Sequence, residues 1–248
     1  MAPVTSAAKP LPARSVALSL LLGSHPGRMS PATLTSAGEH FGIPASTMRV
    51  ALTRAVAAGD LEREGGDYTL GARLVARQRR QDEAVEDAAS PWHGEWEMAV
   101  VVVTGRSGQE RSALRDLLAA HRLAELREGV WTRPANLRRP AAYAGDPVLS
   151  TFTAVPAEDP AELAAGLWDL TAWAQDGDEL VALLETTREP ALRLAAAAQL
   201  VRHLAADPLL PHELLPPDWP GERLRAAYAD YRGELRDIAR SSGRGLAG

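Results

Sequence analysis

Along the first 70 positions the apolar residues recur with a helical period three times and then alternate. Residues 15–23 read SVALSLLLG, a short apolar helix closed by glycine. Ser30 and Pro31 open a second segment, 30–40, with serine placed as N-cap and proline at the first helical position. Gly42 ends it, and IPASTMRVALTRAVAAG follows as a third helix. On a helical wheel Met48, Ala51, Leu52 and Ala55 share one arc, which the period assigns to the core. Ser46, Arg49, Val50 and Thr53 share the opposite arc, with Thr47 and Arg54 at its margin. DLEREGGDYTL then alternates as two short strands, Leu61–Glu64 and Asp67–Leu70, around Gly65 and Gly66. Paired glycines permit the positive φ angles of a tight hairpin turn. Three helices and a hairpin predict a winged helix-turn-helix over residues 12–70.

Residues 71–90, GARLVARQRRQDEAVEDAAS, pass from basic to acidic with few large apolar side chains and predict a linker helix. After Trp92 and Trp96, EMAVVVVT (97–104) is the β-branched run of a buried strand. A helix over 110–122 aligns Leu114, Leu117 and Leu118, and LAELREGVWTRP (123–134) reads as a hairpin around Glu128 and Gly129. A short helix fits between 136 and 143, and VLSTFTAV (148–155) is a last strand. The order βαββαβ over 91–156 is that of a ferredoxin-like sheet. From 157 to 248 the pattern is helical, with segments at 160–175, 178–187, 190–206 and 221–240. The predicted class is α+β: a winged helix-turn-helix, a ferredoxin-like middle domain and a helical carboxy-terminal domain. Between the last two helices DPLLPHELLPPDWPG (207–221) holds five of the 18 prolines beside leucines and Trp219. Prolines fix φ and the apolar side chains supply burial, so the segment predicts an ordered strap rather than an exposed proline-rich ligand.

Charge sharpens this picture. The chain carries −5 overall, yet residues 1–59 hold Lys9, Arg14, Arg28, Arg49 and Arg54 against Glu39 alone. A basic amino-terminal unit on an acidic body predicts local contact with a polyanion, double-stranded DNA. The wing is acidic, with Glu62, Glu64 and Asp67 around Arg63. The candidate DNA contacts are Ser46, Thr47, Arg49, Val50, Thr53, Arg54 and Arg63. Arginine can reach guanine edges or phosphate, and small hydroxyls permit close backbone approach. Arg77, Arg79 and Arg80 read as a solvated face.

No run approaches the roughly 20 apolar residues of a membrane span. The stretch after Arg14 lacks a small-x-small cleavage site. With no cysteine in the chain, a cytoplasmic protein is expected. The six histidines form no i, i+4 pair, and no phosphate loop or nucleophile elbow occurs. The chemistry expected is therefore non-enzymatic, without cofactor or metal.

Three stretches resemble the PaaX-like family, regulators named for the phenylacetic-acid catabolon repressor. STMRVALTRAVAAGDLER (46–63) is similar to its recognition helix and wing, and RSALRDLLAAHRLAELREGVWTRP (111–134) to its middle-domain helix and hairpin. DPLLPHELLPPDWPG is similar to its carboxy-terminal signature. The resemblance implies a homodimeric transcriptional repressor released by an inducer, an aryl-CoA thioester in characterised members. RRPAAYAGDP leaves little room for a second middle-domain helix, and the wing is more acidic than the family pattern. The middle fold also resembles CRISPR adaptation nucleases, whose first strand ends in a metal-binding aspartate. Here it ends Val103-Thr104-Gly105. Candidate contacts for an acyl-CoA effector are Trp131, Arg133, Arg138, Arg139, Trp168 and Trp173, since arginine binds phosphate and indole stacks on rings. The apolar faces of the carboxy-terminal helices predict the dimer interface. The alternative, from another class, is a ligand-sensing or scaffold protein that no longer binds DNA, favoured by the acidic wing.

Overall fold

Ala13–Leu22 forms the first helix, α1, in a computed structural model that describes residues 9–85 and 90–244. Val16, Ala17, Leu20 and Leu21 are buried along one stripe of α1, as an amphipathic period requires. A two-residue strand, β1 (Arg28–Met29), precedes α2 (Pro31–His40). Ser30 caps α2 by accepting the Thr33 N–H at 3.1 Å. The turn into α3 (Ala45–Ala57) passes through Gly42 at φ 74°, a left-handed backbone that side chains disfavour. Gly38 lets α2 and α3 close together, because a Cβ there would lie 2.5 Å from Met48 Cε. Met48, Leu52 and Ala55 are buried on α3 as the wheel predicts, with Ala51 partly so.

The predicted hairpin is β2 (Leu61–Glu64) and β3 (Asp67–Leu70), turning on Gly65 and Gly66 at φ 57° and 92°. β1 joins it in the order β1-β3-β2, with Arg28 opposite Thr69 and Met29 opposite Tyr68. α4 (Ala72–Val85) follows; the predicted linker continues into 86–89, which lie outside the described residues.

The middle sheet contains β4 (Trp96–Val101), β5 (Ala124–Arg127), β6 (Val130–Pro134) and β7 (Leu149–Ala154), with α5 (Gly108–Ala120) crossing from β4 to β5. Its order, β5-β6-β4-β7, and its wholly antiparallel pairing are ferredoxin-like. A capping box between Ser107 and Glu110 starts α5, each side chain taking one of the free N–H groups of the first turn. Ala99, Leu114, Leu118, Leu123, Trp131, Tyr143 and Leu149 form the core on one side. Two expectations change. The second crossover contracts to a 3-10 turn, Ala142–Gly145, held between Pro140 and Pro147. The first strand stops at Val101, because its pairing with β7 ends opposite Leu149; Val102 and Val103 are exposed.

After α6 (Pro160–Leu167) the chain extends through Trp168 and enters α7 (Leu170–Thr186). The helix expected to break near Gly177 runs straight through it. Gly177 is there for packing, since a Cβ would lie 2.9 Å from Leu224 Cδ1 and 3.1 Å from Pro220 Cγ. α8 (Pro190–Ala205) and α9 (Gly221–Arg244) complete the chain.

Two compact units result. The first is Met1–Glu86, Ala174–Ala206 and Pro220–Gly248; the second is Asp87–Trp173 and Asp207–Trp219. In the first, α9 packs on α2 and α8, and α8 packs on α4. Leu194, Leu200, Leu204, Leu224, Tyr231 and Leu235 are buried there. These apolar side chains of the carboxy-terminal helices, where a dimer interface is expected, are thus packed inside the unit. Among the described residues the exposed large apolar ones are Val50, Val102, Val103, Leu126, Phe152 and Val155, none of them on α7, α8 or α9.

Candidate nucleic-acid interface

The outer face of α3 presents Ser46, Thr47, Arg49, Val50, Thr53 and Arg54, all exposed. Val50 is 51% exposed, an unusual place for a large apolar side chain unless something covers it. Neither the Arg49 nor the Arg54 guanidinium has a partner among the described residues. The Thr53 hydroxyl donates to the Arg49 carbonyl at 3.0 Å, which leaves its lone pairs free to accept. Pro44, the residue before α3, offers no side-chain cap, so no N-cap side chain takes the first-turn N–H groups near Ser46 and Thr47. Helix N–H groups of this kind suit phosphate oxygens.

The wing differs from the chemistry its sequence suggests. Arg63 donates to the Gly66 carbonyl at 3.0 Å and lies 5.0 Å over the Tyr68 ring, which ties it to its own hairpin. Arg28 on β1 reaches across to Asp67 Oδ2 at 2.8 Å and to Glu64 at 3.4 Å. The single charge of Arg28 is shared between two of the three wing carboxylates, so it offsets one of them, with Asp67 the closer. Sequence reasoning missed this because the β1 pairing that delivers Arg28 is non-local.

Asp60 was also missed. It follows α3, is fully buried, and accepts hydrogen bonds from Arg14 on α1 and Arg73 on α4. Its N–H donates to the Ala55 carbonyl at 3.0 Å and its own carbonyl takes the Gly71 N–H at 2.8 Å. The Arg14 bond, then that of Arg73, holds the carboxyl below its ordinary pKa against the opposing effect of burial. The end of α3 is thereby fixed to α1 and α4. The available signal was that, Glu39 aside, this is the first acid in the chain.

The predicted effector residues do not share one site, although Arg133 and Arg139 both approach Glu97, at 3.8 and 3.9 Å. Arg133 is fully buried and serves the strap: Nε donates to the Pro134 carbonyl at 2.9 Å, and the NH2 nitrogen to Asn136 Oδ1 at 2.8 Å and to the Leu209 carbonyl at 3.2 Å. Burial lowers its pKa to about 9, with Glu97 opposing, so it remains charged at neutral pH. Arg139 bonds His121, and Arg138 is exposed. Trp131 is buried in the sheet core, where it also edges a cleft of about 640 Å³ beside Arg111 and Arg115. Trp168 borders a different cleft, and Trp173 stacks on Trp219 at 4.3 Å between centroids.

The strap itself is ordered. Leu210 and Leu214 pack with Trp96, Ala164 and Leu170. Leu209 adopts φ 50°, a strained left-handed backbone for a leucine. Asp207 Oδ1 takes its N–H at 2.8 Å, while Asn136 Nδ2 donates to its carbonyl at 2.9 Å. These bonds hold the turn that drives the leucines inward.

Among the described residues no helix is long and apolar enough to cross a membrane, and no group of three or more histidine, aspartate or glutamate residues could hold a metal ion. No curated protein matches the chain. Among solved structures it is similar to uncharacterized protein Rv0674 from Mycobacterium tuberculosis, at 45% identity and a TM-score of 0.80, over 93% of this chain and 98% of that one. Three family profiles match: PaaX-like protein over 12–74, the PaaX protein central Cas2-like domain over 89–147, and the PaaX-like protein C-terminal domain over 168–242. With its winged, ferredoxin-like and helical parts in family order, this chain belongs to the PaaX-like family, whose members are typically transcriptional repressors.

Proposed function

We propose that the protein is a cytoplasmic transcriptional repressor that reads a palindromic operator as a homodimer and is released by a small-molecule effector. The observation that carries this reading is the outer face of α3, with two unpartnered guanidiniums flanking Val50 and small hydroxyls. In a winged helix-turn-helix the second helix of the pair enters the major groove. Ser46, Arg49 and Thr53 lie one turn apart on α3 and meet successive base edges. Val50 packs on a thymine methyl, and Arg54 takes a phosphate. The reading without DNA binding drew its support from the acidic wing, and Arg28 removes part of that support by offsetting one carboxylate charge there. For the dimer, Phe152 and Val155 at the edge strand β7 offer an exposed apolar surface.

The test is selection of bound fragments from a genomic pool, then footprinting and titration across a salt series. A twofold footprint is expected. Arg49→Ala costs about 1–3 kcal/mol and relaxes preference at one operator position. Arg54→Ala weakens all sequences alike and lowers the salt slope by about one phosphate contact. Wild-type binding by both variants, with folding intact by circular dichroism, refutes α3 as the reading helix.

A further inference from the structure

The first unit holds a half-open cavity of about 120 Å³ between α1, α4, α8 and α9. Leu18 and Leu22 of α1, Leu194 and Val201 of α8, and Leu235 of α9 make its apolar wall. An engineered cavity of about 150 Å³ lined by such side chains holds benzene, so this one suits a body of about six carbons.

Its polar side is cationic. Arg77 of α4 and Arg202 of α8 both line it, and neither has a carboxylate partner among the described residues. The third arginine, Arg232, is compensated by Asp82 at 3.5 Å, which His25 also meets at 2.9 Å. Burial, then the charge of Arg77, pushes the Arg202 guanidinium below its usual pKa, so the two arginines sense each other. Like charges brought together by packing are unfavourable until an anion lies near both. The Tyr231 hydroxyl, another lining group, is buried without a hydrogen-bond partner among the described residues. Burial keeps that phenol protonated and therefore a donor.

We propose that this cavity binds a compact organic carboxylate, its apolar body of about six carbons among the leucines and its carboxylate between Arg77 and Arg202, with the Tyr231 hydroxyl as a further donor. Charge-assisted bonds from two guanidiniums supply the orientation, and the apolar wall supplies the size limit.

The cavity also has a route to DNA. α1 gives it Ser15, Leu18, Ser19 and Leu22, while the opposite stripe of Val16, Ala17 and Leu20 is buried where α1 packs against the other helices, α3 among them. A ligand that shifts α1 shifts α3, so occupancy weakens operator binding. This coupling rests on the DNA-reading role proposed above; the binding site does not.

The experiment is calorimetric titration of the full-length protein without DNA, using hexanoate and benzoate, with hexanol and inorganic phosphate as controls. Both carboxylates are expected to bind one per chain, at least about tenfold more tightly than either control. The double variant Arg77→Gln, Arg202→Gln loses about tenfold. Ala198→Leu, which fills the cavity without altering charge, also abolishes binding while retaining the wild-type melting temperature. Absence of carboxylate binding, or binding that survives both changes, overturns the site. With operator present, saturating carboxylate raises the operator Kd about tenfold in the wild type and leaves Ala198→Leu unmoved. An unmoved wild-type Kd overturns the coupling. Carboxylate binding by a protein that binds no DNA supports the site and refutes the DNA reading alone.

Discussion

Replacing Arg133 by methionine separates a structural arginine from a ligand-binding one. The guanidinium is fully buried, with two short bonds at 2.8 and 2.9 Å and two longer ones at 3.2 and 3.4 Å, the last to the Pro208 carbonyl. Methionine fills much of the volume but leaves the Pro134 carbonyl and Asn136 Oδ1 without that donor. Each unsatisfied buried acceptor costs about 1–3 kcal/mol. The Leu209 carbonyl keeps its bond from Asn136 Nδ2, so its loss is small. Glu97, 3.8 Å from Nε, keeps the Tyr143 hydroxyl and is 21% exposed, so water offsets part of its lost cation. Relief of the guanidinium's own desolvation, several kcal/mol in a dry interior, opposes these losses. The balance is a destabilisation of about 3 kcal/mol, at the lower end of what breaking a buried pair costs. For a chain of this length that is a fall in melting temperature of about 6–12 °C. The assay is thermal unfolding followed by near-ultraviolet circular dichroism, which reports the Trp173–Trp219 stack. A variant that melts within about 1 °C of wild type with an unchanged aromatic signal refutes the strap-anchoring role.

Trp219→Ala removes one half of that stack, but Trp219 is only part-buried, so the cost is about 2 kcal/mol rather than the 3–5 of a fully buried indole; unchanged urea unfolding would mean the strap is not held there. Asp60→Asn costs about 1–3 kcal/mol at pH 7, discounted because Arg14 and Arg73 are themselves 50% and 76% exposed. The Asp60 pKa is depressed on folding, so its contribution is complete above the unfolded value near 3.9 and disappears as pH falls through the folded one. Wild type and variant therefore converge in stability once pH falls below the folded value, and a difference that persists unchanged into acid refutes the ion-pair account.

Local signals carried much of the fold. The Ser30-Pro31 start, the Gly42 turn and the paired glycines of the wing each act within a few residues, and each sits where its spacing placed it. What escaped detection was set by distant partners. β1 is two residues long, too short to show a period, and exists because β3 offers it an edge. Gly177 looks like a helix break from its neighbours Asp176 and Asp178, yet its role is to admit Leu224 and Pro220. Arg133 reads in the sequence as an effector contact because two of its acceptors, the Pro208 and Leu209 carbonyls, lie about 75 positions further on, in the strap. The face of α3 was legible because an exposed arc needs no partner from elsewhere in the chain.

The composition of the first unit bears on how such a regulator can respond to anything. A winged helix of about 60 residues has little core of its own and is marginal alone. Here α9 lies against α2, with Leu235 filling the space that Gly23 leaves at the end of α1; a Cβ on Gly23 would lie 2.8 Å from Leu235 Cδ2. Asp60 adds a polar tie from the end of α3 to α1 and α4. α3 is therefore held in a unit whose core includes helices more than 130 positions away in sequence. Close-packed interiors transmit displacement rather than absorb it. On the proposed function, a change at α8 or α9 that costs little stability would for that reason alter the angle at which α3 meets a groove, and the carboxy-terminal helices would need to touch neither DNA nor a partner to affect binding.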